Sequence, residues 1–185
     1  MPEMKMDTAP KMAAKIAEEA GVNPWECYQC GKCSAGCPMA HAMDLLPRQV
    51  MRCIQLGDMD TLLKSKSIWL CASCHACVDR CPNSINLPGI MEFSRYEAKH
   101  FRLIAVPEVD KFTTIFIENL KHFGRSQEAI LEGVYNLTTG NLTQDMSNAP
   151  HMLRHGIVST EIDSVSDKTG VSEMIKRAKE ADKRC

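Results

Sequence analysis

The chain has 185 residues, ten of which are cysteine, and its formal net charge at pH 7 is −1. Acidic and basic residues are interspersed, which excludes the single-sign surface that nucleic acid or an anionic membrane requires, and no run approaches the roughly 18 consecutive apolar residues of a membrane span. The N-terminus lacks the apolar core and cleavage pattern of a signal peptide, so we expect a cytoplasmic protein with no direct membrane span, in which the cysteines do not form disulfides.

The first predicted element is a helix over residues 9–20. Met12, Ile16 and Ala20 recur at helical spacing, and Gly21 follows them as a stop signal. This helix leads into the first of two cysteine-rich segments, which we call run 1 and which extends from Cys27 to Pro38.

A helical spacer is predicted after run 1. An apolar stripe of helical period begins at Leu46, with Pro47 near its start and Gly57 just past its end. Asp58 is placed to cap a further short helix.

The second cysteine-rich segment, run 2, extends from Cys71 to Pro82 and repeats the spacing Cys-x2-Cys-x2-Cys-x3-Cys-Pro of run 1. Three cysteines two residues apart can bind three corners of one 4Fe-4S cube, whereas the Cys-Pro turns the fourth cysteine away, and in two-cluster proteins that cysteine ligates the other cluster. The first predicted ligand set is Cys27, Cys30, Cys33 and Cys81. The second predicted ligand set is Cys71, Cys74, Cys77 and Cys37. This exchange would place the two clusters close together, as an electron relay requires.

Zinc is the alternative metal, because paired Cys-x2-Cys knuckles are common structural zinc sites. A zinc site takes four ligands, usually from two separate knuckles, whereas each run here offers a third cysteine at the same step and then a Cys-Pro. The pattern therefore favours two 4Fe-4S clusters as the cofactors. Since cysteine fills every expected iron position, no catalytic residue and no substrate site are predicted on this chain.

Several residues beside the cysteines are candidates for tuning the clusters. Gly31 would let the backbone approach the sulfides closely. Lys32 and Arg80 either place positive charge near a cluster, which would raise its reduction potential, or point to solvent. His75 is interpreted as a hydrogen-bond donor to sulfur and not as a ligand.

The tryptophans and the two remaining cysteines are predicted to have no role in cluster ligation. Trp25 and Trp69 each stand two residues before a run, and we expect them to shield and pack. Cys53 lies on the apolar stripe of its helix and is predicted to be a small core residue. Cys185 is the last residue and is interpreted as a free thiol.

The sequence after run 2 is also helical in pattern. Asn86 and Pro88 begin a helix that ends before Pro107. A strongly amphipathic segment then lies between Asp110 and Gly124.

Weaker helical patterns follow. Ser126 is predicted to cap another helix, which the Thr-Thr-Gly-Asn stretch at 138–141 ends. A short turn of helix is predicted at 150–155. The tail over 171–183 is predicted to be a marginal helix, which either docks on another surface or frays.

The whole layout resembles the C-type component of heterodisulfide reductase from methanogenic archaea. The likeness comprises the short N-terminal helix, run 1, the helical spacer over residues 38–70, run 2 and a long helical C-terminal part. It implies a mainly α protein, with a helical ferredoxin-like domain over residues 1–106 that binds both clusters. Residues 107–185 would then form a helical partner-binding region and tail.

The resemblance also implies partners and a reaction. A flavin-containing A subunit would split electron pairs by flavin-based electron bifurcation, and this chain would relay single electrons. A B subunit with Cys-Cys-Gly domains would reduce the mixed disulfide of coenzyme M and coenzyme B in methanogenesis. A hydrogenase or formate dehydrogenase is the expected electron source.

The same cysteine motif occurs in other proteins. Succinate dehydrogenase and fumarate reductase subunits share it, but the cysteine-free segment before Cys27 does not match their additional 2Fe-2S domain. Glycolate oxidase-type chains carry Cys-Cys-Gly signatures, and this sequence has no adjacent cysteine pair. A relay in another flavin- or quinone-linked dehydrogenase, such as a lactate type, and a free two-cluster ferredoxin stay open, although near-zero charge disfavours the ferredoxin.

Overall fold

The computed structural model describes residues 9–140, 151, 154–155, 165 and 167–182. All the regular elements within those ranges are helical, which confirms the predicted mainly α class. The helices up to Pro107 are α1 (Ala9–Glu19), α2 (Lys32–Ala35), α3 (Pro47–Leu56), α4 (Met59–Leu63), α5 (Ser67–Leu70), α6 (Ala76–Asp79) and α7 (Leu87–His100), with a 3-10 turn at Pro24–Glu26. The later helices are α8 (Pro107–Phe123), α9 (Glu128–Thr139) and α10 (Lys168–Asp182).

The chain divides into two compact units, with the boundary between Pro107 and Glu108. The boundary predicted from the sequence lies one residue earlier. The roles assigned to the two parts, cluster binding and partner binding, stay predictions.

The core of the first unit forms between α1, α3, α4, α5 and α7. Their apolar stripes converge because each helix repeats its apolar residues at a period close to 3.6. The most deeply buried side chains of this core are Ile16, Val50, Leu62, Leu63, Ile68 and Ile90. Burial of one such side chain stabilises the fold by roughly 1.5–3 kcal/mol.

The helix ends of this unit follow the capping residues that the sequence predicts. Gly57 ends α3 with a left-handed φ of 68°. The Asp58 side chain caps α4 by accepting a hydrogen bond from the Thr61 N–H at 3.2 Å. Asn86 caps α7 by accepting from the Gly89 N–H at 3.2 Å, and its amide also donates to the Ala20 carbonyl at 3.1 Å, which joins α7 to the end of α1.

In the second unit, α8 and α9 form where predicted, but the Ser126 cap is wrong. The N-cap position belongs to Gln127, and its side chain makes no capping bond. Asn119 of α8 binds the backbone of this N-cap residue, because it accepts from the Gln127 N–H at 2.8 Å and donates to the Gln127 carbonyl at 3.2 Å. The start of α9 is therefore fixed by a buried side chain of the preceding helix.

The predicted tail helix begins three residues earlier than expected, as α10. Lys179 of α10 pairs with Glu118 of α8 at 3.0 Å, so this helix docks within its own unit. The turn predicted at 150–155 lies outside the described residues except for His151, Arg154 and His155. Within the described ranges, no helix has both the length and the apolar character needed to cross a bilayer.

Candidate metal centre

The two cysteine runs adopt the same backbone conformation. The residues on either side of the second cysteine have left-handed φ in both runs, namely Gln29 (61°) and Gly31 (83°) in run 1, and Ser73 (50°) and His75 (60°) in run 2. Such angles are unfavourable for non-glycine residues and persist where the surrounding structure imposes them. Alternating left-handed residues curl the chain so that successive backbone N–H groups line a concave, anion-binding surface. The sequence repeat is thus also a structural repeat.

Cys37, the last cysteine of run 1, lines a partly enclosed pocket together with Cys71, Cys74 and Cys77 of run 2. The apolar part of the lining comes from Met39, Met43, Pro47, Leu87 and Met91. The four cysteines that face this space are the four predicted as the second ligand set.

The third cysteine of each run has a raised pKa. Burial is the largest cause that raises the pKa of the Cys77 thiol to about 11, and the thiols of Cys71, Cys33 and Cys74 contribute to the same increase. Burial also raises the pKa of the Cys33 thiol, with an added contribution from Cys27. Partial burial thus favours the neutral thiol at both positions, whereas a metal ligand must be a thiolate, so metal binding here is coupled to proton release.

A contact between flanking residues brings Cys81 towards the start of run 1. The side-chain amide of Asn83, two residues after Cys81, donates to the carbonyl of Glu26, the residue before Cys27. The contact between Asn83 and Glu26 supports the predicted exchange of Cys81. Cys30 of the same predicted ligand set is exposed. The assignment of individual thiols as ligands stays a prediction.

The cysteines are not arranged for a single metal ion. Among the described residues, no group of three or more His, Cys, Asp or Glu side chains could hold one ion. Four sulfurs around zinc would lie within about 3.8 Å of one another, since Zn–S bonds are about 2.3 Å. Four cysteines from two repeated runs around a common pocket instead fit a multi-iron cluster, in which each corner takes one thiolate.

Sequence reasoning missed Asp44, which joins the segment that follows run 1 to the segment that precedes run 2. Its carboxylate accepts hydrogen bonds from the Ser65 hydroxyl at 2.6 Å, the Ser67 hydroxyl at 2.7 Å and the Lys66 N–H at 2.8 Å. Burial acts to raise the Asp44 pKa, but these hydrogen bonds outweigh burial and hold the pKa well below its ordinary value. No local signal in the sequence indicates this pairing, because its partners lie more than 20 positions away.

Gln55 of α3, also missed, holds the start of run 1. Its amide N–H groups donate to the carbonyls of Pro24 and Cys27, both at 2.8 Å. Its amide oxygen accepts from Gln29 at 3.2 Å, and Gln29 in turn lies 3.6 Å from the Cys27 sulfur. Run 1 therefore rests on α3 through the Gln55 amide and through the Arg48 N–H, which donates to the Ser34 hydroxyl at 2.9 Å.

The two tryptophans beside the runs differ. Trp69 is 3% exposed and packs as predicted, but Trp25 is 75% exposed, so the packing prediction is wrong for Trp25. Trp25 lies in the 3-10 turn, which is outside the core. Its backbone N–H donates a hydrogen bond to the Asn23 side chain at 3.1 Å. Cys53 is buried as predicted, and Cys185 lies outside the described residues.

The predicted tuning residues have distinct surroundings. Lys32 and Arg80 are both exposed, which agrees with the solvent-facing alternative. Arg80 nevertheless crosses from run 2 onto Gly36 of run 1, where an added Cβ atom would clash with the Arg80 side chain. His75 lines the pocket of the second ligand set. Effects of these residues on reduction potential stay predictions.

Comparison with known proteins identifies the cysteine-bearing region. A family model described as a 4Fe-4S dicluster domain matches residues 26–86. This match confirms the predicted cofactors, two 4Fe-4S clusters.

Curated relatives are similar over larger parts of the chain. The iron-sulfur C-type component of CoB--CoM heterodisulfide reductase from Methanopyrus kandleri is 33% identical over 96 residues, which are 48% of this chain and 50% of that protein. The C-type component of H(2):CoB-CoM heterodisulfide,ferredoxin reductase from Methanothermobacter thermautotrophicus is 24% identical over 89% of this chain and 85% of its own length. The C-type component of Ferredoxin:CoB-CoM heterodisulfide reductase from Methanosarcina acetivorans is 30% identical over 66% of this chain and 47% of its own length. The chain thus spans about half the length of the first and third of these relatives.

Proposed function

We propose that this chain, which belongs to the family of C-type heterodisulfide reductase components, is the electron-relay subunit of a heterodisulfide reductase complex. The observation that carries the proposal is the pocket in which Cys37 of run 1 faces Cys71, Cys74 and Cys77 of run 2. A thiol exchanged between two distant segments is the arrangement of two-cluster ferredoxins, whose clusters lie side by side.

The residues of this chain have defined tasks in the proposal. Cys27, Cys30, Cys33 and Cys81 hold one cluster. Cys71, Cys74, Cys77 and Cys37 hold the other. The two clusters supply one-electron redox chemistry when bound. Helix α2, which carries Cys33, packs against α6, which carries Cys77, so the two sites are adjacent, and electron tunnelling between sites falls steeply with distance.

The pocket of the second ligand set also favours electron transfer over bond chemistry. Its lining outside the cysteines is mainly apolar, so it offers few polar groups to orient a substrate. With a cysteine at every iron, no open coordination position is left for a substrate. We therefore assign the chemical reduction of substrate to another protein of the complex.

We extend the proposal to the partners that the family placement suggests. A flavin-containing A subunit delivers single electrons by bifurcation, and a B subunit with Cys-Cys-Gly domains reduces the coenzyme M–coenzyme B heterodisulfide. A hydrogenase or formate dehydrogenase supplies the electrons. The complex is cytoplasmic in this proposal.

Anaerobic native purification from the source organism, with mass spectrometry of the co-purifying chains and an iron and sulfide count, tests the function. We expect a flavoprotein and a Cys-Cys-Gly protein to co-purify, and about eight irons with matching sulfide per copy of this chain. Co-purification with a membrane quinone protein, or elution of the iron-loaded chain as a free monomer, would contradict the proposal.

A further inference from the structure

Asp44 is the hub of a hydrogen-bond network between the two runs. Its carboxylate accepts hydrogen bonds from the Ser65 and Ser67 hydroxyls and from the Lys66 N–H. It also accepts from the Ser67 N–H at 3.1 Å. The Ser67 hydroxyl, oriented by Asp44, accepts in turn from the Leu45 N–H at 2.9 Å. Ser65 and Ser67 are 3% and 0% exposed, so water cannot readily replace the carboxylate as their acceptor.

Each end of this network leads directly to one wall of the pocket of the second ligand set. On one side, the neighbouring Met43 lines the pocket and its sulfur lies 4.0 Å from the Cys37 sulfur. On the other side, Ser67 opens the single-turn helix α5, which ends at Leu70 immediately before Cys71. The hydrogen bonds between Asp44 and Ser67 thus connect the segment that follows Cys37 with the segment that precedes Cys71.

The α5 segment has a second anchor besides Asp44, one residue after Ser67. Arg95 of α7 donates to the carbonyl of Ile68 at 3.0 Å, and Ile68 is fully buried. A one-turn helix held at both Ser67 and Ile68 has a fixed position, and the removal of either anchor frees the end that leads to Cys71. The Asp44 bonds therefore set where the chain enters run 2.

We infer that Asp44 is a positioning residue, which holds Cys37 at the separation from Cys71, Cys74 and Cys77 at which all four bind one cluster. The inference rests on the proposed ligand sets. It assigns Asp44 an effect on the cluster of the second ligand set alone, since no bond of the Asp44 network described above reaches Cys27, Cys30 or Cys33.

The test uses the full chain, produced and purified anaerobically, with iron and sulfide counts and redox titrations followed by electron paramagnetic resonance. Asp44→Ala should lower the occupancy of one cluster severalfold, and the lost signal should be the signal that Cys37→Ala also loses. Asp44→Asn, which keeps the side-chain shape and one acceptor, should retain more of that cluster but shift its potential. Asp44→Glu, which restores the carboxylate, should return the occupancy towards that of the wild type.

Asp58→Ala is the matched control. It removes a spacer carboxylate that also accepts a backbone N–H, but that carboxylate caps α4 and bridges neither run. It should leave both signals and both potentials unchanged. Ser67→Ala is a second, milder variant, because it removes only one hydroxyl from the network. It keeps the test possible if Asp44→Ala does not fold. Ser67→Ala should shift the potential of the same cluster.

The inference is overturned if Asp44→Asn and Ser67→Ala leave both potentials unchanged, or if the signal that changes is the one lost in Cys27→Ala. The readouts separate this inference from the proposed function. A wild-type chain that holds both clusters but passes no electrons between the proposed partners would contradict the relay function, while the cluster-specific effect of Asp44 would still stand.

Discussion

Run 1 and run 2 have the same cysteine spacing and left-handed φ angles at the same two positions, yet different parts of the molecule hold them. Run 1 rests on α3 through Gln55, beside an exposed Trp25. Run 2 follows the buried Trp69 of α5, and Asp44 holds the start of α5 through Ser67. The repeated motif therefore determines the local backbone, whereas residues outside the repeat determine how far apart the runs lie.

The largest expected difference between the runs concerns the two tryptophans. Trp69→Ala should lower the free energy of unfolding by about 3–5 kcal/mol, because it empties a buried site. Trp25→Ala should change it by no more than about 0.5 kcal/mol, because that side chain is exposed. Chemical denaturation of the two variants, measured under identical anaerobic conditions, provides the comparison.

Trp69→Phe sharpens the same comparison. The indole N–H of Trp69 is buried without a hydrogen-bond partner among the described residues. Phenylalanine keeps most of the apolar area and removes that N–H, so it should retain most of the stability that alanine loses. Equal losses for Trp25→Ala and Trp69→Ala would show that the two runs are supported alike.

The second effect is a loss confined to run 1. Gln55→Ala removes both donors to the Pro24 and Cys27 carbonyls and should cost about 2–3 kcal/mol, since each net hydrogen bond contributes about 1 kcal/mol. The cluster of the first ligand set should be depleted before the other, as followed by electron paramagnetic resonance during slow iron chelation.

Gln49→Ala is the matched control for Gln55. Gln49 lies on the same helix α3, but its side chain caps the helix start by accepting from the Leu46 N–H at 2.8 Å. Its replacement should lower stability slightly without a preference between the clusters. Faster loss of the second cluster in Gln55→Ala would refute the assignment of Gln55 to run 1.

The third effect concerns the left-handed position that glycine occupies in run 1 and histidine in run 2. Gly31→Ala should destabilise by about 1 kcal/mol, because an alanine must adopt a left-handed φ there. The cost is conformational, since the nearest atom to an added Cβ is the Arg48 Cδ at 3.9 Å. Gly133→Ala, in the middle of α9 with open space around it, should instead be neutral or stabilising. Thermal unfolding of both variants tests the contrast, and an unaffected Gly31→Ala would disprove it.

The smallest effect concerns the scaffold that both runs share. Lys15 of α1 pairs with Glu97 of α7 at 2.9 Å, and the hydrogen bond to Glu97 raises the Lys15 pKa above its ordinary 10.5. A raised lysine pKa stabilises the folded state fully below pH 10.5, and this stabilisation is lost as the pH rises through the folded pKa. Because Lys15 is half exposed, Lys15→Met should cost at most about 1 kcal/mol at neutral pH. Urea titrations at several pH values should show the difference from wild type shrinking above pH 10.5, and a difference that grows there would have the wrong sign.

The parts of the structure that the sequence predicts are those set by neighbours along the chain. Gly57, Asp58 and Asn86 end or begin helices through contacts within a few residues, so their patterns suffice. These helix ends could be derived without knowledge of the tertiary structure. The left-handed φ of Gln29, Ser73 and His75 could not, because that conformation is unfavourable for residues other than glycine.

The features that escaped prediction depend on contacts between distant segments. Asp44 binds serines that follow it by more than 20 positions, and Gln55 binds run 1 from a separate helix. The start of α9 likewise depends on Asn119 of another helix, which binds the Gln127 backbone. Local patterns cannot specify which polar side chain will meet which backbone group after folding.

The central claim is that the runs exchange their fourth cysteines, and paired cysteine variants test it most directly. Electron paramagnetic resonance of the anaerobically prepared chain should show that Cys37→Ala loses the signal lost in Cys71→Ala, and that Cys81→Ala loses the signal lost in Cys27→Ala. If Cys37→Ala instead matches Cys27→Ala, each run binds its own cluster and the account is contradicted.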